Sequence, residues 1–216
     1  MYKRQLSAIS RLSKEQLKYG VVAYSSGNHA QGVAHAAKLF NTPAIVVMPK
    51  DAPVKKIENA RTLGAEVVFY DRIKDSREQM AAEIAQEKNL TLIKPYDSLE
   101  TIFGQATAAY EVIHDVNNPK IDNAIICAGG GGLTAGSCIP LKHINPECNI
   151  FTAEPEDWND HEQSFNAAKR VAVDTNRHGL CDGILTPTPG EVPFAINQHY
   201  GVTGSVSYTH LTLPTN

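Results

Sequence analysis

The sequence predicts an α/β protein built from two doubly wound parallel-sheet domains. Three observations carry that prediction. From Val21 onward, short apolar runs alternate with amphipathic stretches, the order that a parallel sheet with crossover helices requires. The alternation pauses once, at Lys94-Pro95-Tyr96-Asp97, and then resumes, which divides the pattern in two. The chain has 216 residues, 42% hydrophobic and 20% charged, which suits one large core or two small ones and shows none of the bias of a disordered or fibrous chain.

The first strand is Val21-Val22-Ala23, followed by an amphipathic helix over 32–40. A second strand at 44–48 leads to a helix over 54–63, opened by Pro53 and stopped by Gly64. The third strand, 66–70, precedes a helix over 76–88 with Ser76 as N-cap and Asn89 as its C-terminal stop, and a fourth strand follows at 90–93. After the pause a long helix spans 99–116, so a domain crossover is placed there: a small domain at 6–97 and part of a large domain at 98–205. In the second half the strand at 123–127 meets a glycine run, a helix over 134–143 and a strand at 149–153, before the pattern loosens after Pro155.

Composition excludes several classes of function. Twenty basic against 23 acidic side chains give a net charge of -3, without the basic excess of a nucleic-acid footprint. No stretch approaches the roughly 18 apolar residues of a membrane span, and the start lacks the charged-then-apolar order of a secretory signal, so a cytoplasmic location is expected. Cys127, Cys138, Cys148 and Cys181 form no CxxC pair and are expected to be reduced thiols packed as small apolar groups.

The two ends read as foreign. Met1-Tyr2-Lys3-Arg4-Gln5 can be encoded as GTG TAT AAG AGA CAG, with GTG as a start codon. The reverse complement, entered two bases in, encodes Val-Ser-Tyr-Thr, which is Val206 to Thr209. The shared element resembles the transposon end used to fragment DNA for sequencing. Residues 1–5 and 206–216 are therefore expected to be sequencing scars that pack poorly, and 6–205 the interior of a longer product truncated at both ends.

Three segments can carry chemistry. Tyr24-Ser25-Ser26-Gly27-Asn28-His29-Ala30-Gln31 lies where a strand gives way to a helix, the edge of a parallel sheet at which ligands bind. Helix-start N–H groups, two hydroxyls, an amide and an imidazole suit a carboxylate there, although Ser26 or Asn28 as a plain N-cap explains the segment equally well. Gly129-Gly130-Gly131-Gly132 joins an apolar strand to a helix, and four glycines let the backbone curl its N–H groups around a phosphate. The run is neither a GxxxxGK[ST] loop nor a GxGxxG loop with a ribose acid, which disfavours ATP and NAD. Glu154 and Asp160, with a free backbone carbonyl between them, follow a strand end; they can hold Mg²⁺ or Ca²⁺, but taken alone the segment reads as a solvated acidic loop. Cys181-Asp182-Gly183 reads as a turn.

Together these segments resemble the fold-type II pyridoxal-phosphate enzymes of the threonine/serine dehydratase and serine racemase family, which implies a tryptophan synthase beta-like fold. Ser25-Ser26-Gly27-Asn28-His29-Ala30-Gln31 resembles that family's Ser-[Ser/Ala]-Gly-Asn-His-x-Gln loop. Met48-Pro49, Ala52-Pro53 with Lys55, Gly64-Ala65, Gly104-Gln105 with Thr107, Gly129 to Leu133, Glu154-Pro155 and Asp182-Gly183 follow in family order, so the likeness covers 6–205. It implies pyridoxal 5'-phosphate as cofactor, lying between the domains, with the Ser25 and Gly129 loops facing one another across a cleft. Asn28 is then expected at the cofactor ring hydroxyl, Ser25 and His29 on the substrate carboxylate, and Gly129, Gly130, Gly131, Gly132 and Leu133 around the phosphate. Gly183 is expected beside the cofactor, and Glu154, Trp158 and Asp160 align with a divalent-cation site, which reverses the solvated reading. Arg77 aligns with a substrate-entrance position, although a solvated helix arginine explains it as well.

The expected activity is dehydration and deamination of L-threonine or L-serine to a 2-oxo acid and ammonia, by a homodimer acting on a small amino acid. Ser26, on the face opposite the family's lysine, permits a proton relay and hence serine racemisation. That lysine belongs upstream of Met1, and the C-terminal serine or cysteine that meets the pyridine nitrogen is also missing, so this chain is expected to be inactive as it stands. The rival readings are a 3-hydroxyaspartate dehydratase, whose second carboxylate needs a further cationic contact, and a non-catalytic phosphate-ligand binding module.

Overall fold

The computed structural model describes residues 3–25, 27–71, 73–116, 120–175, 179, 181 and 183–207. The chain divides into two units, Met1–Gly104 and Gln105–Asn216. The first contains α1 (Lys3–Ser10), α2 (Lys14–Tyr19), β1 (Val21–Tyr24), α3 (Asn28–Leu39), β2 (Ala44–Pro49), α4 (Val54–Thr62), β3 (Glu66–Tyr70), α5 (Arg77–Lys88), β4 (Thr91–Leu92) and the start of α6 (Leu99–Asp115). Its sheet runs β3-β2-β1-β4 with every pair parallel.

Side-chain alternation along the strands explains why helices cover both faces. Val21, Ala23, Val46 and Met48 pack with Ala30 and Val33 of α3, Ile9 of α1 and Ala60 of α4. Val22, Tyr24, Ile45 and Val47 pack instead with Ala81, Met80 and Ile84 of α5. Buried on both sides, β1 and β2 read as unbroken apolar runs. The expected punctuation is present: Ser76 Oγ accepts from the Gln79 N–H, and Asn89 ends α5 in the left-handed region at φ 53°.

The second unit holds the rest of α6, then β5 (Asn123–Cys127), α7 (Gly132–Ile144), β6 (Asn149–Pro155), a 3-10 turn at Glu156–Trp158, α8 (Asp160–Asn166), α9 (Glu191–His199) and β7 (Val206–Ser207). Its parallel sheet runs β5-β6-β7. Ala109 and Ile113 of α6, Cys138 and Leu141 of α7, and Ile150 and Val202 form the core. On β6 the residues of the buried face are Ile150, Thr152 and Glu154, so an acid enters the interior in register with apolar neighbours. No helix among the described residues is long and apolar enough to cross a membrane.

Three expectations are corrected. Gln5, assigned to the leading scar, does not pack poorly: it lies in α1 with 2% of its surface exposed. Val206 likewise pairs with Glu154 across β6 and β7, while 1–2 and 208–216 lie outside the described residues. Cys138 and Cys148 are buried as expected, but Cys127 and Cys181 are exposed thiols.

Candidate functional site

In the first unit, the Ser25 loop sits at the C-terminal edge of β1. Gly27 is the N-cap of α3, and no side chain caps that helix among the described residues. Plain capping by Asn28 is thus not what the segment does: Asn28 is exposed, in the first turn, and the Ser25 hydroxyl accepts the Gly27 N–H at 3.1 Å. Ser26 lies outside the described residues. The His29 ring turns into the unit. One ring nitrogen, Nε2, meets the Ile93 carbonyl at 2.9 Å, which requires Nε2–H, and Nδ1 then accepts from Gln5 Nε2 at 2.9 Å. Burial, reinforced by the charge of Arg4, pushes the His29 pKa down to about 3, so the ring is neutral. With both nitrogens engaged, the imidazole has nothing left for the carboxylate expected on it. Arg77 lies over the Tyr24 ring at 5.5 Å, next in sequence to this loop, and Nε donates to Glu78 at 2.7 Å.

In the second unit, the glycine run opens α7. Gly131 is the N-cap at φ +86°, and no side chain caps the helix among the described residues. A Cβ there would stand 2.5 Å from His161 Cε1, so both the dihedral and the space require glycine. At Gly129 a Cβ would lie 3.1 Å from the Ile184 Cα and from Thr186 Oγ1. Gly130 and Gly132 are buried and Leu133 half-buried, while the Gly130 carbonyl accepts the Gly190 N–H at 3.1 Å. The segment around Gly183 is a turn, closed by the Ile184 N–H on the Cys181 carbonyl at 2.9 Å, and a Cβ on Gly183 would meet nothing within 4 Å. Its neighbour Ile184 abuts Gly129, so the structure brings Gly183 close to the glycine run.

Glu154 and Asp160 are not solvated, whereas Glu156 and Asp157 between them are exposed. Glu154, Asp160 and His161 are fully buried, and one ligand atom from each lies within 4.8 Å of the others. Glu154 accepts the N–H groups of His161 at 2.8 Å and Glu162 at 3.0 Å, tying β6 to the start of α8. Neither oxygen of Asp160 meets a donor among the described residues. Burial, and for Asp160 also the neighbouring Glu154 charge, raises both carboxyl groups well above the ordinary carboxylate range. Two such acids share a proton or enclose a cation. The Trp158 side chain is buried, and its indole N–H has no partner among the described residues. Sequence reasoning missed His161, whose Nε2 donates to the Gly129 carbonyl at 2.8 Å; the only local signal was a histidine directly after Asp160.

Residues 3–208 match the family model described as pyridoxal-phosphate dependent enzyme. The chain belongs to that family. Among its relatives, a serine racemase from Schizosaccharomyces pombe is 42% identical over 195 residues, and an L-threo-3-hydroxyaspartate ammonia-lyase from Saccharomyces cerevisiae 41% over 195; each match takes in 90% of this chain and 59% of the relative. Threonine deaminase isoform 2 from Solanum lycopersicum superposes with a TM-score of 0.87 at 33% identity, covering 96% of this chain and 59% of its own. The chain therefore spans about three-fifths of the length of these relatives.

The family's cofactor is pyridoxal 5'-phosphate, and the second unit has features that fit its phosphate. Gly129 and Gly131 let the run pack closely against Ile184, Thr186 and His161, and the α7 N-terminus has no side-chain cap among the described residues, which leaves its N–H groups for an anion. The fold is that of the solved family members, with parallel sheets and helices on both faces of the first.

Proposed function

We propose that the protein from which this chain comes dehydrates and deaminates a 3-hydroxy amino acid, L-threonine or L-serine, to a 2-oxo acid and ammonia, and that it also racemises serine. The observation that carries this reading is the uncapped, glycine-opened start of α7, a backbone cradle for the phosphate of the family's cofactor. When bound, that cofactor supplies an electron sink for the carbanion at the substrate Cα. The Gly129–Leu133 backbone would hold its phosphate and Asn28 its ring hydroxyl. Ser25 and the first turn of α3 would take the substrate carboxylate, since the His29 ring is engaged elsewhere. Ser26 would relay a proton on the face opposite the family lysine. Glu154, Asp160 and the Trp158 carbonyl would hold a divalent cation that braces the entry to α8; the support is two buried carboxyl groups with no cationic side chain paired to them among the described residues. A homodimer in the cytoplasm belongs to the same reading.

A second reading, dehydration of 3-hydroxyaspartate, has an observation of its own. The Arg77 guanidinium over Tyr24 is a cation beside the Ser25 loop, as a second substrate carboxylate requires. One experiment separates them. The full-length reading frame, expressed with pyridoxal 5'-phosphate, is assayed for 2-oxo acid and ammonia from L-serine, L-threonine and L-threo-3-hydroxyaspartate, and for D-serine. Turnover of serine or threonine that exceeds that of hydroxyaspartate supports the first reading, and Ser26→Ala should lose D-serine formation while keeping ammonia release. Hydroxyaspartate as the preferred substrate, with Arg77→Gln abolishing that preference, supports the second. A full-length protein that binds the cofactor and turns over none of them is a binding module.

A further inference from the structure

His161 sits where two features of the second unit meet, and its bonding is half spent. Its Nε2 faces the Gly129 carbonyl at 2.8 Å. A carbonyl only accepts, so Nε2 carries the proton and Nδ1 carries the lone pair. That Nδ1 is buried and has no partner among the described residues. A ring nitrogen of His161 and carboxylate oxygens of Glu154 and Asp160 all lie within 4.8 Å of one another. Atoms bound to one ion at about 2.0–2.6 Å are at most roughly 5 Å apart, so the three groups are within the span of a single cation. The arrangement matches a recurring feature of metal sites, in which a ligating histidine donates its other N–H to a backbone carbonyl that fixes tautomer and ring plane.

We propose that His161 Nδ1 is a third protein ligand of the Glu154–Asp160 cation site, so that the site takes a transition-metal ion such as Mn²⁺ or Zn²⁺ in preference to Mg²⁺ or Ca²⁺. The inference rests on the cation reading above and goes beyond it. Two carboxylates and a carbonyl form an all-oxygen set that suits hard cations, whereas an imidazole nitrogen shifts preference along the first-row series. The same ring reaches the glycine run twice: through its bond to the Gly129 carbonyl and through the space that Gly131 leaves at Cε1. An ion held by Nδ1 therefore fixes the ring that fixes the first turn of the phosphate cradle. Here His161 is a positioning residue for the cradle and a ligand only of the metal.

The test uses the full chain, stripped with chelator and titrated calorimetrically with Mn²⁺, Zn²⁺, Mg²⁺ and Ca²⁺. We expect Mn²⁺ and Zn²⁺ to bind at least roughly tenfold more tightly than Ca²⁺, and His161→Gln to erase that margin while leaving Ca²⁺ affinity within about threefold. Electron spin-echo modulation of bound Mn²⁺ should show one directly bonded histidine nitrogen, and Asp160→Asn should remove it; this readout decides the matter in the unaltered chain even if His161→Gln fails to fold. Binding of all four cations with no nitrogen modulation, or with an order that His161→Gln leaves intact, overturns the role of His161 and keeps the carboxylate site. No binding of any cation overturns both.

Discussion

The two units each bury a histidine, and they treat it differently. His29 in the first spends both ring nitrogens, on Gln5 and on the Ile93 carbonyl. His161 in the second spends one, on the Gly129 carbonyl. The contrast is wider than the two histidines: among the described residues, all buried side-chain nitrogens and oxygens left without a partner belong to residues between Thr134 and Asn197, in the second unit. An unmade bond in the interior costs about 1–3 kcal/mol, so such groups do not persist in one region without a reason. The first unit closes its polar chemistry within its own chain. The second leaves unspent groups at several places, among them Asp160 and His161 of the paired-acid cluster and Asn145 at the far end of α7.

The strongest way to break this comparison is at Gly131. A valine there must adopt φ +86° and push against His161, which should cost about 2–6 kcal/mol in urea unfolding. A loss below 1 kcal/mol would mean that the ring yields freely and is not held. Next in size is the cation effect. A divalent ion at a hundred times its Kd should stabilise the chain by about 2.7 kcal/mol, read as a rise in unfolding midpoint, and Asp160→Asn should abolish the rise.

The first unit is probed through Gln5 and pH. Gln5→Leu removes the donor that Gln5 offers to His29 Nδ1 and should cost about 1–3 kcal/mol. Because the His29 pKa falls from 6.5 when unfolded to about 3 when folded, the unfolded chain takes up the proton first on acidification. The stability His29 confers is complete above pH 6.5 and is lost as pH falls toward 3; His29→Gln should flatten that part of the pH–stability curve. The smallest effect is expected at Gly183, where a Cβ meets nothing: Gly183→Ala should stay within about 0.5 kcal/mol. A larger loss would assign the Gly183 turn a strained backbone.

Much of the fold was legible because parallel strands buried on two faces leave unbroken apolar runs. Six strands were read close to their observed bounds, and the stops at Gly64 and Asn89 have the positive φ that such residues permit. α3 and α7 begin earlier than read, at Asn28 and Gly132, because their N-cap residues are glycines, which have no capping side chain to announce them. α8 is short and polar, and α9 hides behind Pro193, which its first turn tolerates. β7 has two residues and gains its identity from Glu154 alone. Among site residues, local chemistry pointed to the glycine run; the paired acids read as a solvated loop without the family resemblance, because their burial depends on the register of β6. Local chemistry did not point to His161, whose meaning depends on the distant Gly129, nor to the withdrawal of the His29 ring, which depends on Gln5 and Ile93.

The pairing of β7 with Glu154 has a consequence for the order in which the molecule assembles. Glu154 N–H donates to the Ser205 carbonyl and lies in register with Val206. The strand that carries the first acid is thus flanked by a segment synthesised long after it. Contacts that close so long a loop form late, both on the ribosome and in refolding. The paired acids should then acquire their final geometry only once residue 207 is in place, which makes ion capture a report on completed folding of the second unit and not a nucleus for it.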